Sequence, residues 1–153
     1  MDFLKDMLAN RVIISAFASW FIAQFLKMFI ETIKRKKIKT RDFVFRALFG
    51  TGGMPSSHSA SIMAVALAIG IQEGFDSALF ALSFVMVFIV VRDATGVRLA
   101  SGFQAKAINQ IIKKIDELDG MREIKEVRGH TPLECFVGML VGALITLGVY
   151  FIK

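Results

Sequence analysis

Four blocks of apolar residues, at about 12–33, 56–72, 77–92 and 132–152, alternate with polar runs that hold nearly all of the charge. About 20 apolar residues in helical form cross the roughly 30 Å hydrocarbon layer of a bilayer, so the blocks read as spans. The pattern predicts an all-α integral membrane bundle of about four transmembrane helices. In the first block Gln24 and Lys27 stand three residues apart on one helix face, close to the end of the span. A charge at that depth costs several kcal/mol unless it snorkels or finds a partner, and with a glutamine beside it the pair predicts an inward, functional face.

The second block is rich in alanine and predicts a short, closely packed helix. Gln72-Glu73-Gly74-Phe75-Asp76 reads as a tight turn, so the second and third blocks form a hairpin. The third block ends in Arg92-Asp93-Ala94-Thr95-Gly96-Val97-Arg98, which the hairpin returns to the membrane face of His58. Beyond it Ile108, Ile111, Ile112, Ile115 and Leu118 recur at helical intervals among lysines and acids. They predict one cytoplasmic amphipathic helical segment within 99–127, broken near Asp119-Gly120. In the last block Gly138 and Gly142 make a small-xxx-small pair, suited to close helix contact within the chain or, in a homo-oligomer, between last helices.

Composition agrees, with 55% of the 153 residues hydrophobic, and the chain reads as one membrane domain over residues 1–153. The first block follows a mixed-charge decapeptide and lacks a small-residue cleavage site, so it is expected to stay in the bilayer. Charge sets the orientation. Seven Lys and Arg fall from Lys34 to Arg46 and eight from Arg92 to Arg128, against Lys5, Arg11 and Lys153 for the opposite face. Positive charge stays inside, so the loops 34–55 and 93–131 are expected in the cytoplasm, with the chain in a bacterial cytoplasmic membrane. The net charge of +6 belongs to those loops and to anionic headgroups, and no nucleic-acid partner is expected. The single cysteine, Cys135, excludes an internal disulfide, and two histidines are too few for a His-rich zinc site, so no metal or other cofactor is expected.

The candidate chemistry begins at Gly52-Gly53-Met54-Pro55-Ser56-Ser57-His58-Ser59. Two glycines let backbone close around a ligand, Pro55 presets a helix start, and Ser56 and Ser57 are natural caps. A helix N-terminus offers free N–H donors and partial positive charge, which is an anion site with His58 in reach. His58, Asp93, Arg98 and His130, with Lys27 about a turn into the bilayer, are all expected at one membrane face. Two imidazoles, several cations and such a helix start are what phosphoryl transfer through a histidine needs. One ring attacks phosphorus, the other protonates the leaving oxygen, and the cations hold the remaining oxygens. Glu134, four residues after His130, either orients that imidazole or closes a capping box with Thr131 as N-cap and Pro132 at N1.

Gly-Gly-Met-Pro-Ser-Ser-His-Ser-Ala, Asp-Ala-Thr-Gly-Val-Arg and Gly-His-Thr-Pro-Leu-Glu, in that order, resemble the divergent branch of the type 2 phosphatidic acid phosphatase superfamily. Its small membrane proteins are often labelled acid phosphatase or vanadium-dependent haloperoxidase related. The main superfamily has a Pro-Ser-Gly-His motif for the acid and a later histidine, followed four residues on by aspartate, for the nucleophile. The resemblance thus implies His58 as acid, His130 as nucleophile and Glu134 as orienting carboxylate. Ser57 stands in place of the glycine, Glu134 in place of aspartate, and no Arg-Pro pair exists, the only prolines being Pro55 and Pro132. Lys27 and Arg98 are the expected substitutes for the phosphate clamp, with Gly53, Ser56, Ser57 and Asp93 completing the substrate site. The expected activity is hydrolysis of a lipid phosphate or diphosphate at the cytoplasmic interface. A non-catalytic lipid-phosphate binder or translocator would use the same cations without covalent chemistry.

Overall fold

The computed structural model describes residues 2–34, 53–115, 120–126 and 129–151. Among them the chain is helical, with no strand: α1 (Asp2–Ala9), α2 (Arg11–Lys34), α3 (Ser57–Glu73), α4 (Ala78–Arg92), a π-helical turn (Asp93–Val97), α5 (Arg98–Ile112) and α6 (Pro132–Phe151). The basic run after Lys34, Gly52, Leu118 and Asp119 lie outside the described residues. The hydrophobic blocks do not announce α1. Asn10 separates it from α2, and its Oδ1 caps α2 by accepting from the N–H groups of Val12 (2.9 Å) and Ile13 (3.3 Å).

Among the described residues three helices are long and apolar enough to cross a membrane: α2, the continuous stretch Ala78–Ile112, and α6. The block expected at 56–72 is the centre they enclose. α3 has 17 residues, about 25 Å of helix, and packs against α2, α4 and α6. It buries Ala60, Ala64, Ala66, Ala68 and Gly70 rather than large side chains, so neighbouring backbones come close. On α2 the facing stripe is Ser15, Ser19, Ala23 and Lys27, all buried, and the Ser61 hydroxyl donates across to the Ala16 carbonyl at 3.3 Å.

On α6 the stripe is Gly138, Gly142, Thr146 and Tyr150. A Cβ at Gly138 would strike the Ser56 carbonyl oxygen and one at Gly142 that of Ala60. Thr146 and Tyr150 donate to the carbonyls of Ala64 and Ala68, each at 3.4 Å. Each step of four on α6 matches a step of four on α3, so the two helices run parallel in a fixed register. The Gly138–Gly142 face is thus occupied inside the chain.

α3 ends at Gly74, whose φ of 93° suits glycine. Ser77 then caps α4, its Oγ accepting from Phe80 N at 3.1 Å, which makes the expected hairpin. The segment after the third block departs from expectation. Arg92 to Arg98 is not a loop: the helix runs on through the π-helical turn into α5 as one 35-residue rod, about 52 Å long. It stops at Ile112, earlier than the isoleucine spacing predicts, and residues 121–126 are irregular.

Candidate functional site

The end of α2, the start of α3, the end of α4 and the start of α6 meet at one end of the bundle. At the start of α3 the helix begins at Ser57, so Pro55 precedes the cap instead of occupying the first helical position. Ser56 is fully buried, and its hydroxyl accepts from Ser59 N at 3.4 Å and Ser59 Oγ at 3.1 Å. Its own N–H donates to the Glu134 carbonyl at 3.0 Å, which joins the two histidine segments through backbone. Ser57 is buried as well, and His58 follows it on the exposed side.

His58, Asp93, Arg98 and His130 line one cavity of about 250 Å³, with Ile89, Val90 and Ala94 as its apolar wall. The π-helical turn supplies Asp93, leads directly into Arg98 at the start of α5, and fixes His130. Arg98 Nε donates to Asp93 Oδ2, across the turn. The carbonyl of buried Ala94 accepts the His130 N–H at 3.0 Å. Such turns reset the register of a helix and often mark functional sites.

At the start of α6 Glu134 makes the contacts that both expectations require. Glu134 N donates to Thr131 Oγ1 at 3.3 Å, and Thr131 N donates to Glu134 Oε2 at 3.0 Å, which is a capping box. The same Oε2 lies 3.2 Å from His130 Nδ1. His130 is buried, at 5% exposure, and burial pushes its imidazole below the ordinary histidine value. The Glu134 hydrogen bond and charge work against that shift, and the Lys27 ammonium adds to it.

Lys27 is 6% exposed and faces inward, as does Gln24. It meets Gly53: a Cβ there would lie 3.2 Å from Lys27 Cε and 3.3 Å from Glu31 Oε1. Gly53 also has a φ of 88°, which favours glycine. The charges that act on Lys27 are those of Glu31 and then Glu134, and Lys27 acts in turn on both imidazoles. Gly53, Glu31 and Glu134 border a second cavity of about 390 Å³, to which Lys106, Glu126 and Thr131 also contribute.

Two residues beside the site were not legible as such. Glu31 is four residues from Lys27 on the same face, a spacing that could have found it. Asn109, 3% exposed, binds the backbone of Ile124 on both sides, its Nδ2 donating to the carbonyl at 2.9 Å and its Oδ1 accepting from the N–H at 2.8 Å. That clamp ties the irregular segment before His130 to α5, and no local pattern signals it. Among the described residues no group of three His, Cys, Asp or Glu side chains is arranged to hold a metal ion.

No solved structure matches the chain. It is 36% identical to an uncharacterized membrane protein, YuiD, of Bacillus subtilis (strain 168), over 93% of this chain and 95% of the relative. The apolar helices and this relative mark it as a membrane protein. The sequence profile of the Divergent PAP2 family matches residues 8–145, so the chain is a member of that family.

Proposed function

We propose that the protein is a membrane phosphatase that hydrolyses a lipid phosphate or diphosphate through a histidine nucleophile. The observation that carries this reading is that His58 and His130, far apart in sequence, border one small cavity with Arg98. Glu134 holds the Nδ1 proton of His130 and leaves the Nε2 lone pair to attack phosphorus. A P–N bond forms as the bond from phosphorus to the lipid oxygen breaks, and His58 gives that oxygen a proton. Water then attacks the phosphohistidine, His58 takes its proton, and inorganic phosphate departs with the P–N bond broken. Arg98, oriented by Asp93, and the N–H groups at Ser57 and His58 hold the charged oxygens, while Ser56 and Gly53 shape the backbone around them. Ile89 and Val90 give the cavity an apolar side suited to a lipid. The charge split along the chain supports a site facing the cytoplasm of a bacterial cell.

The test is phosphate release by purified protein from a panel of lipid phosphates. His130→Ala is expected to abolish both phosphohistidine and turnover. His58→Ala is expected to lose about 10²–10⁴-fold, the usual worth of general acid–base catalysis, and to recover phosphohistidine formation with a substrate whose leaving group needs no proton. Wild-type turnover retained in both variants would sink the histidine mechanism. A wild type that binds lipid phosphates without releasing phosphate would replace it with the binder or translocator reading.

A further inference from the structure

The four helices that build the site reach it at a common depth. Polar residues mark their far ends: Arg11 at the start of α2, stacked on Tyr150 near the end of α6, and Gln72 and Ser77 on either side of the turn between α3 and α4. Counted from those markers along their own helices, Lys27, Asp93 and Glu134 each come 16 residues on and His58 comes 14. At about 1.5 Å per residue the site lies roughly 21–24 Å from the far polar layer, whereas the hydrocarbon of a bilayer is about 30 Å thick.

The lipid-side surface does not stop at that depth. On α2 the stripe Phe17, Phe21, Phe25, Phe29 and Ile33 is exposed throughout, and the helix runs on to Lys34, about 34 Å from Arg11. α4 likewise continues through the π-helical turn, where Val97 is exposed. α3, at the centre, is shorter: its 17 residues begin at Ser57, while α2 and the rod pass that level. The second cavity is lined from Gly53 and Glu134, near the start of α3 and of α6, to Lys106, two turns beyond Arg98.

We propose that the start of α3 is the floor of a well sunk about 6–9 Å into the hydrocarbon of the near leaflet, and that the well takes a phosphate carried by a lipid of that leaflet, drawn below the plane of the neighbouring headgroups. Acyl chains cover Phe29, Ile33 and Val97, because these residues lie on the helices that span the membrane. The second cavity brings water down to the floor, and Ile89 and Val90 meet the first carbons of the bound chain. The lipid half of the inference rests on the lipid-phosphate reading of the site; the depth does not.

Depth is measured without a ligand. In a Cys135→Ser background, nitroxide labels on Phe29→Cys and Ile33→Cys in lipid vesicles should relax faster with oxygen than with a water-soluble nickel chelate, with a label on Lys114→Cys as the aqueous reference. Both positions face outward, so either variant alone carries the test. Labels there that favour nickel would put the end of α2 in water and the site at the membrane surface, which overturns the proposal.

The ligand is measured by photolabelling. Phosphatidic acid with a diazirine near the glycerol end of one chain should label the α4 peptide that holds Ile89 and Val90. Dioleoyl phosphatidic acid should compete at least about tenfold better than glycerol 3-phosphate, which carries the same monoester without chains. Arg98→Met should reduce labelling to the level given by phosphatidylcholine with the same diazirine. Equal competition by glycerol 3-phosphate would make the ligand a soluble ester, and wild-type labelling no stronger than that by phosphatidylcholine would remove the lipid; either overturns the proposal.

Bilayer thickness gives the functional readout. Phosphate release from dioleoyl phosphatidic acid should fall by about tenfold from myristoleoyl through oleoyl to erucoyl phosphatidylcholine vesicles, because a thicker leaflet carries the phosphate further from the floor. A rate that ignores thickness or rises with it overturns the proposal. A protein that releases no phosphate in any of them, yet keeps oxygen-accessible labels and photolabelling specific to phosphatidic acid, would sink the phosphatase reading and leave the well and its lipid standing.

Discussion

Glu134 Oε2 meets two groups at once: it accepts the Thr131 N–H that starts α6 and lies against Nδ1 of His130. A cap and an orienting carboxylate look like rival explanations in the sequence, yet the i,i+3 and i,i+4 spacings let one oxygen satisfy both. Their combination makes α6 a rigid mount for the imidazole. It also gives the pH dependence a sign. Burial holds His130 below the ordinary histidine value, so its neutral form persists into mildly acidic solution. Turnover that needs the neutral ring is lost as pH falls through that lowered value, and the acidic limb of kcat/KM is expected below about 6.5. Glu134 favours the protonated ring, so Glu134→Gln should move the limb further down while slowing the reaction. Lys27 disfavours it, so Lys27→Met should move the limb up. A profile of log kcat/KM against pH for the three proteins checks both directions, and a limb that ignores both changes would remove His130 from the rate equation.

At the scale of elements, the site depends on how closely α6 lies against α3. Gly138 and Gly142 put helix backbone on helix backbone, with the carbonyls of Ser56 and Ala60 where side chains would be. Gly142→Val must push the helices apart or bend them, and overpacking of this kind costs about 1–3 kcal/mol. The same displacement moves Ser56 away from the Glu134 carbonyl, so activity should fall along with thermal stability. Leu144→Ala, at a site 67% exposed toward the lipid side of α6, should stay within about 0.5 kcal/mol of wild type. Equal melting temperatures for the two variants would refute this account of the contact.

The extents of α2, α3, α4 and α6 were legible because apolar length, Gly74, Ser77 and the Thr131-Pro132 start are local signals. The π-helical turn was not. Arg92-Asp93-Ala94-Thr95-Gly96 is polar and glycine-containing, which reads as a loop, and a single inserted residue leaves no periodicity to find. Its helical continuity includes a tertiary contact, the Ala94 carbonyl taking the His130 N–H. α5 likewise ends at Ile112 although isoleucines continue, because the chain turns back and Asn109 pins its return.

For the whole molecule, the arrangement of helix directions does what no single motif does. α2 runs opposite to α3, as Lys27 beside Gly53 and Ala16 beside Ser61 require. α6 runs parallel to α3, and α4 returns antiparallel through the Gly74 turn. Lys27, His58, Asp93, Arg98 and His130 therefore gather at one end, while Arg11 stacks on Tyr150 at the other, 5.5 Å from its ring centroid. The sequence foretold this convergence because alternate spans must emerge on alternate faces; it could not foretell which groups touch. For which end faces the cytoplasm, charge alone supplies a prediction. The polar runs adjoining the site hold 15 of the 19 Lys and Arg, and positive loops resist translocation, so that end is expected inside. In a Cys135→Ser background, a cysteine at position 36 should stay shielded from an impermeant thiol reagent in intact cells and react once they are opened. A cysteine at position 76, in the turn between α3 and α4, should react from outside. Labelling at 36 in intact cells would invert the orientation and place His58 and His130 on the outer face, where a substrate phosphate would have to be presented from outside the cell.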